Sequence, residues 1–321
     1  MSKSRVLFTR ILPDNVMAEA DKLFDLTIRD SAIPMTEEEA IRSLEEYDAV
    51  VPTLGDDFNA GVFPKVNNLR CKILANFGAG YNHIEVSAAK DSGVTVTNTP
   101  GAVTDATADI ALSLILMTAR RTVEGDRIVR ANQWTGWKPT EMLGTHVTGQ
   151  TLGIIGMGRI GKAIAKRCQA GFDMKVIFFN RSRVADPGVE ATQLDSAEEV
   201  VAKANFVVVA VRSGPESYHL IDRSLLSAMR EDGIFINISR GDVVDEQALI
   251  EALSTNQIAG AGLDVYEFEP EVPDELKAME NVVLLPHLGT SVLAVREDMG
   301  MMVIDNLKTY FTDGNPPNKV V

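Results

Sequence analysis

The stretch TLGIIGMGRIGKAIA, residues 151–165, places Gly156, Gly158 and Gly161 between a short apolar run and the start of a helical segment. In a strand, turn and helix of this kind, the first glycine makes the tight turn and the second admits a pyrophosphate close to the backbone. The third lets the helix pack on the strand, and amides at the helix start face the anion. A second strand follows the helix, so the pattern predicts a dinucleotide-binding βαβ unit.

The end of that second strand decides which dinucleotide is expected. It reads FFNRSR, residues 178–183. An acid here would accept hydrogen bonds from a free ribose 2′-hydroxyl and repel a 2′-phosphate. Instead, Asn180 and Ser182 are neutral, whereas Arg181 and Arg183 can bind a phosphate through charge-assisted hydrogen bonds. The sequence therefore predicts NADP(H) in preference to NAD(H), unless the two arginines simply lie on a solvated turn.

The alternation of apolar runs and helical segments occurs twice along the chain. Short runs rich in β-branched residues recur before residue 100 and again after residue 150. They are continuous rather than alternating, as in parallel strands buried on both faces. The segments between them are long enough for right-handed crossover helices. The pattern predicts an α/β protein with two doubly wound parallel-sheet domains of Rossmann or flavodoxin-like topology.

Two apolar helical segments set the predicted domain boundaries. Residues 104–121 should lead from the first system into the second, and residues 291–311 should fold back onto the first. We therefore expect a discontinuous first domain, residues 1–100 plus 290–321, and a dinucleotide-binding domain, residues 101–289.

Composition narrows the possible functions. The 321 residues include 45 acids against 31 Lys and Arg, a net charge of −14, which argues against general binding to nucleic acids or membrane surfaces. Cys71 and Cys168 lack a metal-ligand spacing, so neither a metal site nor a disulfide framework is expected. The sequence shows no bilayer-length apolar run and no signal-peptide pattern. A reducing, cytoplasmic location is the expectation.

Ordered motifs make the whole chain resemble a known family. They are NFGAGYNHIE (76–85), TLGIIGMGRIG (151–161), NISRGDVVDEQAL (237–249), AGLDVYEFEP (261–270) and LPHLGTS (285–291). Together they resemble the D-2-hydroxyacid dehydrogenases, specifically the glyoxylate/hydroxypyruvate reductase branch. The resemblance implies that the first domain is the substrate-binding (catalytic) domain and that the active site lies in the cleft between the domains. It also implies NADPH-dependent reduction of a small 2-oxo acid to the D-2-hydroxy acid.

The resemblance assigns the catalytic roles to three residues that follow apolar runs. Arg240 would bind the substrate carboxylate, since a guanidinium forms paired hydrogen bonds with a carboxylate. His287 would be the general acid that protonates the developing alkoxide, and Glu269 would hold its imidazole and favour the protonated form. Taken singly, each would more readily be interpreted as a surface or loop residue. Their order and positions together favour catalysis.

The substrate contacts that the resemblance implies come from two loops of the first domain. Ala79 and Gly80 would offer backbone amides to the substrate carboxylate. Leu54 would line the pocket and Phe77 would narrow it, although both could be ordinary core residues. Because the glycine-rich loop has no second basic residue, a short, uncharged C3 end is expected, as in glyoxylate or hydroxypyruvate.

Further cofactor contacts follow from the same resemblance. Backbone amides would bind the pyrophosphate, Asp264 would accept from the nicotinamide carboxamide, and a threonine would meet the phosphates. In the segment VRSGPES an arginine stands where the family usually has proline, and a serine where it has threonine. The amides are those of Arg159 and Ile160, and the threonine is Thr107. The arginine and the serine of VRSGPES are Arg212 and Ser217, and Asp264 is the acceptor named above.

Two tryptophans and three histidines complete the candidates. Trp134 and Trp137 lie in a segment that in the family forms a dimer interface, so a homodimer is expected. His83, His146 and His219 carry no predicted role.

Two alternative functions stay open at this point. One is a 3-phosphoglycerate dehydrogenase or another D-2-hydroxyacid dehydrogenase, although many 3-phosphoglycerate dehydrogenases carry an additional regulatory domain. The other is a nucleotide-sensing binding protein resembling corepressors of this fold, which would act through partners. Turnover of a 2-oxo acid would distinguish the enzyme from the binding protein.

Overall fold

The computed structural model describes residues 3–321, which divide into two compact units. The first unit contains the described residues up to Val103 together with Thr290–Val321, and the second is Thr104–Gly289. Strands and helices are numbered along the whole chain.

Five parallel strands form the sheet of the first unit. They are β1 (Arg5–Phe8), β2 (Asp25–Ile28), β3 (Ala49–Val51), β4 (Ile73–Ala75) and β5 (Thr95–Thr97). Their order across the sheet is β2-β1-β3-β4-β5. The order reverses between β1 and β3, and a reversal of this kind creates a crevice at the carboxyl ends of the strands.

Four helices belong to this unit: α1 (Asp14–Leu23), α2 (Glu37–Glu46), α3 (Val86–Asp91) and α11 (Leu293–Asp313). A capping box starts α2, because Thr36 and Glu39 each accept a hydrogen bond from the backbone of the other. Helices α1 and α11 pack closely at Gly300, where a Cβ atom would lie 2.5 Å from Val16.

Seven parallel strands form the sheet of the second unit. They are β6 (Thr151–Ile155), β7 (Lys175–Phe179), β8 (Ala191–Gln193), β9 (Phe206–Val209), β10 (Ile234–Asn237), β11 (Gly260–Leu263) and β12 (Val282–Leu284). The order β12-β11-β10-β9-β6-β7-β8 reverses between β6 and β9. The glycine turn that follows β6 therefore lies at the switch point where doubly wound sheets bind ligands.

The helices of the second unit are α4 (Thr104–Ala119), α5 (Thr122–Arg130), α6 (Arg159–Phe172), α7 (Ala197–Lys203), α8 (Arg223–Ser227), α9 (Glu246–Ser254) and α10 (Asp274–Ala278). Helices cover both faces of the sheet, so every residue of β9, for example, is buried. This burial explains the continuous apolar runs in the sequence.

The structure confirms the predicted fold class of two doubly wound parallel-sheet domains. The sequence missed β8, an edge strand whose residues are half-buried or exposed and form no apolar run. The roles assigned to the two units and their predicted boundaries stay predictions.

Cys71 and Cys168 are free thiols in the interior, and burial raises the pKa of each to about 12. Within residues 3–321, no helix combines the length and apolarity that crossing a bilayer requires.

A buried carboxylate holds the loop that carries Leu54. Asp56 is fully buried and accepts hydrogen bonds from the amides of Met35 and Thr53, both at 3.0 Å. It also pairs with Arg10 at 3.1 Å. The Asp56 side chain therefore fixes the turn after β3 and joins it to the segments that contain Arg10 and Met35.

We expect Asp56→Ala to lower the free energy of unfolding by about 3–5 kcal/mol, the usual cost of removing one member of a buried ion pair. Urea denaturation measures the loss. The matched control is Asp57→Ala, which removes an exposed neighbouring carboxylate and should change stability by less than about 0.5 kcal/mol. Equal effects of the two substitutions would contradict the role of Asp56.

Candidate active site

The three glycines of the turn after β6 occupy positions with different steric requirements. Gly156 has φ +100°, and a Cβ atom there would lie 2.6 Å from the carbonyl oxygen of Ala210. A Cβ atom at Gly161 would lie 2.3 Å from the Gly156 oxygen, whereas none of the described atoms comes within 4 Å of that position at Gly158. Gly158 also precedes the 14-residue helix α6. The turn therefore fits the pyrophosphate of a dinucleotide, with the amides of the first helical residues, Arg159 and Ile160, beside it.

The residues after β7 form a tight polar turn. The Asn180 side chain donates to the Ser182 carbonyl at 3.0 Å, so this side chain shapes the turn. Arg181 forms an exposed ion pair with Glu216. Arg183 is exposed and has no ion pair within residues 3–321. The expected contact of both arginines with a 2′-phosphate stays a prediction, and for Arg181 it requires release from Glu216.

Glu216, the ion-pair partner of Arg181, lies in the loop after β9. Within the loop, the Ser217 hydroxyl lies 2.8 Å from the Arg212 carbonyl and 3.0 Å from that of Gly214. Because a hydroxyl has one hydrogen, Ser217 donates within its own loop, and the cofactor contact predicted for it stays a prediction. Arg212 is exposed, and no carboxylate of the described chain pairs with it.

Asp264 and Thr107 both bind the loop that follows β12. Asp264 is 1% exposed, and its two oxygens accept hydrogen bonds from the amides of Leu288 at 2.6 Å and Gly289 at 2.8 Å. The Thr107 hydroxyl donates to the Gly289 carbonyl at 3.3 Å. Burial raises the pKa of Asp264, and the two amides oppose that effect. The sequence did not predict these bonds. The contact of Asp264 with the nicotinamide and the contact of Thr107 with the phosphates stay predictions.

Arg240 leaves the sheet directly after β10. The buried Asn237 side chain donates to the Arg240 carbonyl at 2.9 Å and accepts from the Ser239 amide at 3.0 Å, which fixes this turn. Arg240 is half-buried, and burial lowers the pKa of its guanidinium, while the charges of nearby carboxylates, Glu269 foremost, oppose that effect. Arginine nevertheless stays cationic in proteins, so the site presents a fixed positive charge.

His287 and Glu269 form a hydrogen-bonded pair. The distance from His287 Nδ1 to Glu269 Oε2 is 2.8 Å, and each side chain is 25% exposed. The second oxygen of Glu269 accepts from the Tyr266 amide at 3.1 Å. The pair leaves the imidazole Nε2 as the nitrogen that can exchange a proton with a substrate. His287 has φ +54°, a left-handed conformation that is uncommon for a residue with a side chain.

Tyr266 connects the loops that carry these two residues. Its hydroxyl donates to the Leu285 carbonyl at 2.9 Å, two residues before His287. Burial raises the pKa of Tyr266, and the negative charges of Asp264 and Glu269 act in the same direction. The phenol therefore remains a hydrogen-bond donor across the neutral pH range. No local pattern in the sequence predicts these contacts of Tyr266.

In the first unit, the Asn76–Gly80 loop turns its carbonyl groups inward. The Asn76 side chain donates to the carbonyls of Gly78 at 3.0 Å and Gly80 at 2.9 Å. Asn98 donates to the Ala79 carbonyl at 2.8 Å. The amides of Ala79 and Gly80 have no acceptor within residues 3–321. Two adjacent amides of this kind can bind an anion. Leu54 is 42% exposed and Phe77 is half-buried, so neither is a fully buried core residue.

Residues 112–289 match the sequence model of the family described as D-isomer specific 2-hydroxyacid dehydrogenase, NAD binding domain. The chain belongs to this family. It is an oxidoreductase, and the matched residues lie in its domain for binding a nicotinamide cofactor.

Full-length relatives agree with this 2-hydroxyacid dehydrogenase assignment. A glyoxylate reductase of Pyrococcus horikoshii is 40% identical over 99% of this chain and 96% of its own length. An NADPH-dependent glyoxylate/hydroxypyruvate reductase of Sinorhizobium meliloti, solved with NADP and malonate, has a TM-score of 0.88 and 31% identity, covering 100% of this chain and 97% of that one. A Thermus thermophilus protein has a TM-score of 0.90 and 36% identity, covering 99% and 100%.

The dehydrogenase contains a second histidine–glutamate pair that the sequence analysis missed. His219 Nε2 lies 2.8 Å from Glu267 Oε1, and the ring stacks on Tyr218 with 4.0 Å between centroids. The His219 amide also donates to the Asp242 carbonyl at 2.9 Å. The pair therefore joins the loop after β9 to the loop that carries Glu269, and the His219 amide joins the same loop to the segment after Arg240. No motif signals it, because 48 residues separate its members.

We expect Asn237→Ala to lower the free energy of unfolding by about 2–4 kcal/mol, because it leaves a buried amide and a carbonyl without partners. Denaturant unfolding measures this loss. Asn237→Asp is the paired variant: it keeps the acceptor for Ser239, and it replaces the donor to Arg240 by a second carboxylate oxygen that carries negative charge. A stable Asn237→Ala protein with unchanged binding of 2-oxo acids would show that Asn237 does not hold Arg240 in place.

Proposed function

We propose that this 2-hydroxyacid dehydrogenase is an NADPH-dependent reductase that converts glyoxylate or hydroxypyruvate to the D-2-hydroxy acid. The observation that carries the proposal is the 2.8 Å hydrogen bond between His287 and Glu269, in the unit that also contains the half-buried cation Arg240. The names of the P. horikoshii and S. meliloti relatives support the substrate class.

In the proposed reaction, Arg240 binds the substrate carboxylate through two guanidinium N–H groups. In the first unit, the amides of Ala79 and Gly80 are further candidates for binding a carboxylate. His287 Nε2 donates its proton to the oxygen at C2 as negative charge develops there, and Glu269 holds the ring in the orientation that this transfer needs. A nicotinamide cofactor held by the turn after β6 would supply the hydride to C2. In the oxidative direction, His287 accepts the hydroxyl proton.

We expect the wild-type protein to reduce glyoxylate with a nicotinamide cofactor, and His287→Ala to lower kcat by about 10²–10⁴-fold, the scale of lost acid–base catalysis. Initial rates followed at the absorbance of the reduced nicotinamide test this. His146→Ala is the control, since His146 is exposed and has no predicted role. Full turnover by His287→Ala would show that His287 is not the general acid. Inactivity of the wild type with both glyoxylate and hydroxypyruvate would overturn the proposed reaction.

The cofactor would be held mainly by the turn after β6. Gly158 gives the pyrophosphate room, and the first amides of α6 face it. The preference for NADPH is proposed from the three cations around the end of β7 and the loop after β9, namely Arg181, Arg183 and Arg212. Binding of the 2′-phosphate by Arg181 would replace its exposed ion pair with Glu216, and exposed pairs contribute little stability.

We expect the double variant Arg181→Gln with Arg183→Gln to raise the KM for NADPH by about 10–100-fold, as expected for the loss of charge-assisted hydrogen bonds. The KM for NADH, which has no 2′-phosphate, should change little. Initial rates with both cofactors at matched concentrations measure the difference. Arg223→Gln is the matched control, because Arg223 also forms an exposed ion pair, with Glu251. Equal losses with NADPH and NADH would show that the two arginines are structural.

We also propose that the protein is a cytoplasmic homodimer. Trp134 and Trp137 are 65% and 82% exposed, and Leu143 in the same segment is 66% exposed. Exposed aromatic and aliphatic side chains in one segment are typical anchors of a subunit interface. The reduced, buried thiols Cys71 and Cys168 suit a reducing compartment.

A further inference from the structure

A solvent-open cavity of about 360 Å³ lies in the first unit, beside the Asn76–Gly80 loop, and its lining residues Ser291, Leu293 and Arg296 are exposed. Its apolar walls are residues 11–13, Phe77 and Leu293, and its polar groups are Ser291 and Arg296. The volume lies in the range of small-molecule sites, which combine apolar walls with a few polar groups.

The position of the cavity in the sheet also favours a ligand site. Residues 11–13 follow β1, and Phe77 follows β4. The cavity therefore lies at the carboxyl ends of the strands, next to the reversal of strand order between β1 and β3. Open α/β sheets bind ligands at this place. Phe77 is also two residues before Ala79, whose amide has no protein acceptor.

The cation in the cavity is not neutralised by the described protein. Arg296 Nη2 donates to Ser291 Oγ at 2.7 Å, and no carboxylate within residues 3–321 forms an ion pair with Arg296. This hydrogen bond positions the guanidinium and leaves its other N–H groups and the Ser291 hydroxyl hydrogen available. A guanidinium and a hydroxyl between apolar walls can recognise a carboxylate or a phosphate.

We infer that this cavity is a specificity pocket for 2-oxo acids that carry a second anionic group beyond C2, with Arg296 and Ser291 as the residues that bind it. The inference rests on the proposed function, because it assumes that the amides of Ala79 and Gly80 bind the first carboxylate. The methylene groups of such a substrate would lie against Phe77 and Leu293. Glyoxylate has no atoms that could reach Arg296, so the pocket selects among longer substrates.

The kinetic test compares kcat/KM for oxaloacetate and 3-phosphohydroxypyruvate, which have a distal carboxylate and a distal phosphate, with kcat/KM for glyoxylate. We expect Arg296→Met to lower the ratio of each anionic substrate to glyoxylate by about 10–100-fold, the scale of one charge-assisted contact. Arg296→Lys should restore part of the ratio, and Arg42→Met, at an exposed arginine of the same unit, should leave it unchanged. The substrate with the larger loss identifies the anion that is preferred.

An unchanged ratio in Arg296→Met would overturn the inference while leaving glyoxylate reduction intact.

A binding measurement tests the pocket separately from the reaction. D-Malate and D-lactate differ by a carboxylate in place of a hydrogen, and neither reacts when the cofactor is already reduced. Isothermal titration of the NADPH-loaded enzyme should show D-malate binding at least 10-fold more tightly than D-lactate, with the difference lost in Arg296→Met. Equal affinities in the wild type, or no binding of either acid, would also overturn the inference.

Discussion

The proposed chemistry depends on one close backbone contact, between Gly241 and Tyr266. A Cβ atom at Gly241 would lie 1.8 Å from the Tyr266 carbonyl carbon, so only glycine fits there. The contact joins the loop that follows Arg240 to the loop that carries Glu269. Tyr266 then reaches the segment before His287 through its hydroxyl group. The three candidate side chains Arg240, Glu269 and His287 follow the neighbouring strands β10, β11 and β12, and they are thereby held at the same end of the sheet, because parallel strands place all their carboxyl ends together.

The charges at this edge are held by protein groups rather than by water alone. Glu269 has His287 and a backbone amide as partners, and Asp264 has two backbone amides. A partly buried charge without such partners would be strongly destabilising. The same bonds fix the positions of the proposed acid, His287, and of the carboxylate of Glu269 that would orient it. Such preorganisation is a general source of catalytic power, since the groups need not reorganise during the reaction.

The proposed contacts with the substrate involve residues that are far apart in sequence. The short, uncharged C3 end was predicted from the glycine-rich loop alone, where no second basic residue occurs. Helix α11 nevertheless brings Arg296 to a cavity lined by Phe77, more than 200 positions away. In the cofactor region, the pair of Arg181 with Glu216 similarly unites two loops. The proposed substrate and cofactor preferences thus rest on contacts between distant segments.

The sequence by itself determined the fold class, the glycine turn and the candidates Arg240, Glu269 and His287. Parallel strands buried on both faces require continuous apolar runs, and a tight turn against a strand requires glycine, so both leave local patterns. Only the tertiary structure decided that Asn237 holds Arg240, that Asp264 binds the loop after β12, and that Arg296 lines a cavity. These contacts join segments whose spacing in sequence follows no period, because the folding of the sheet and its helices alone brings them together.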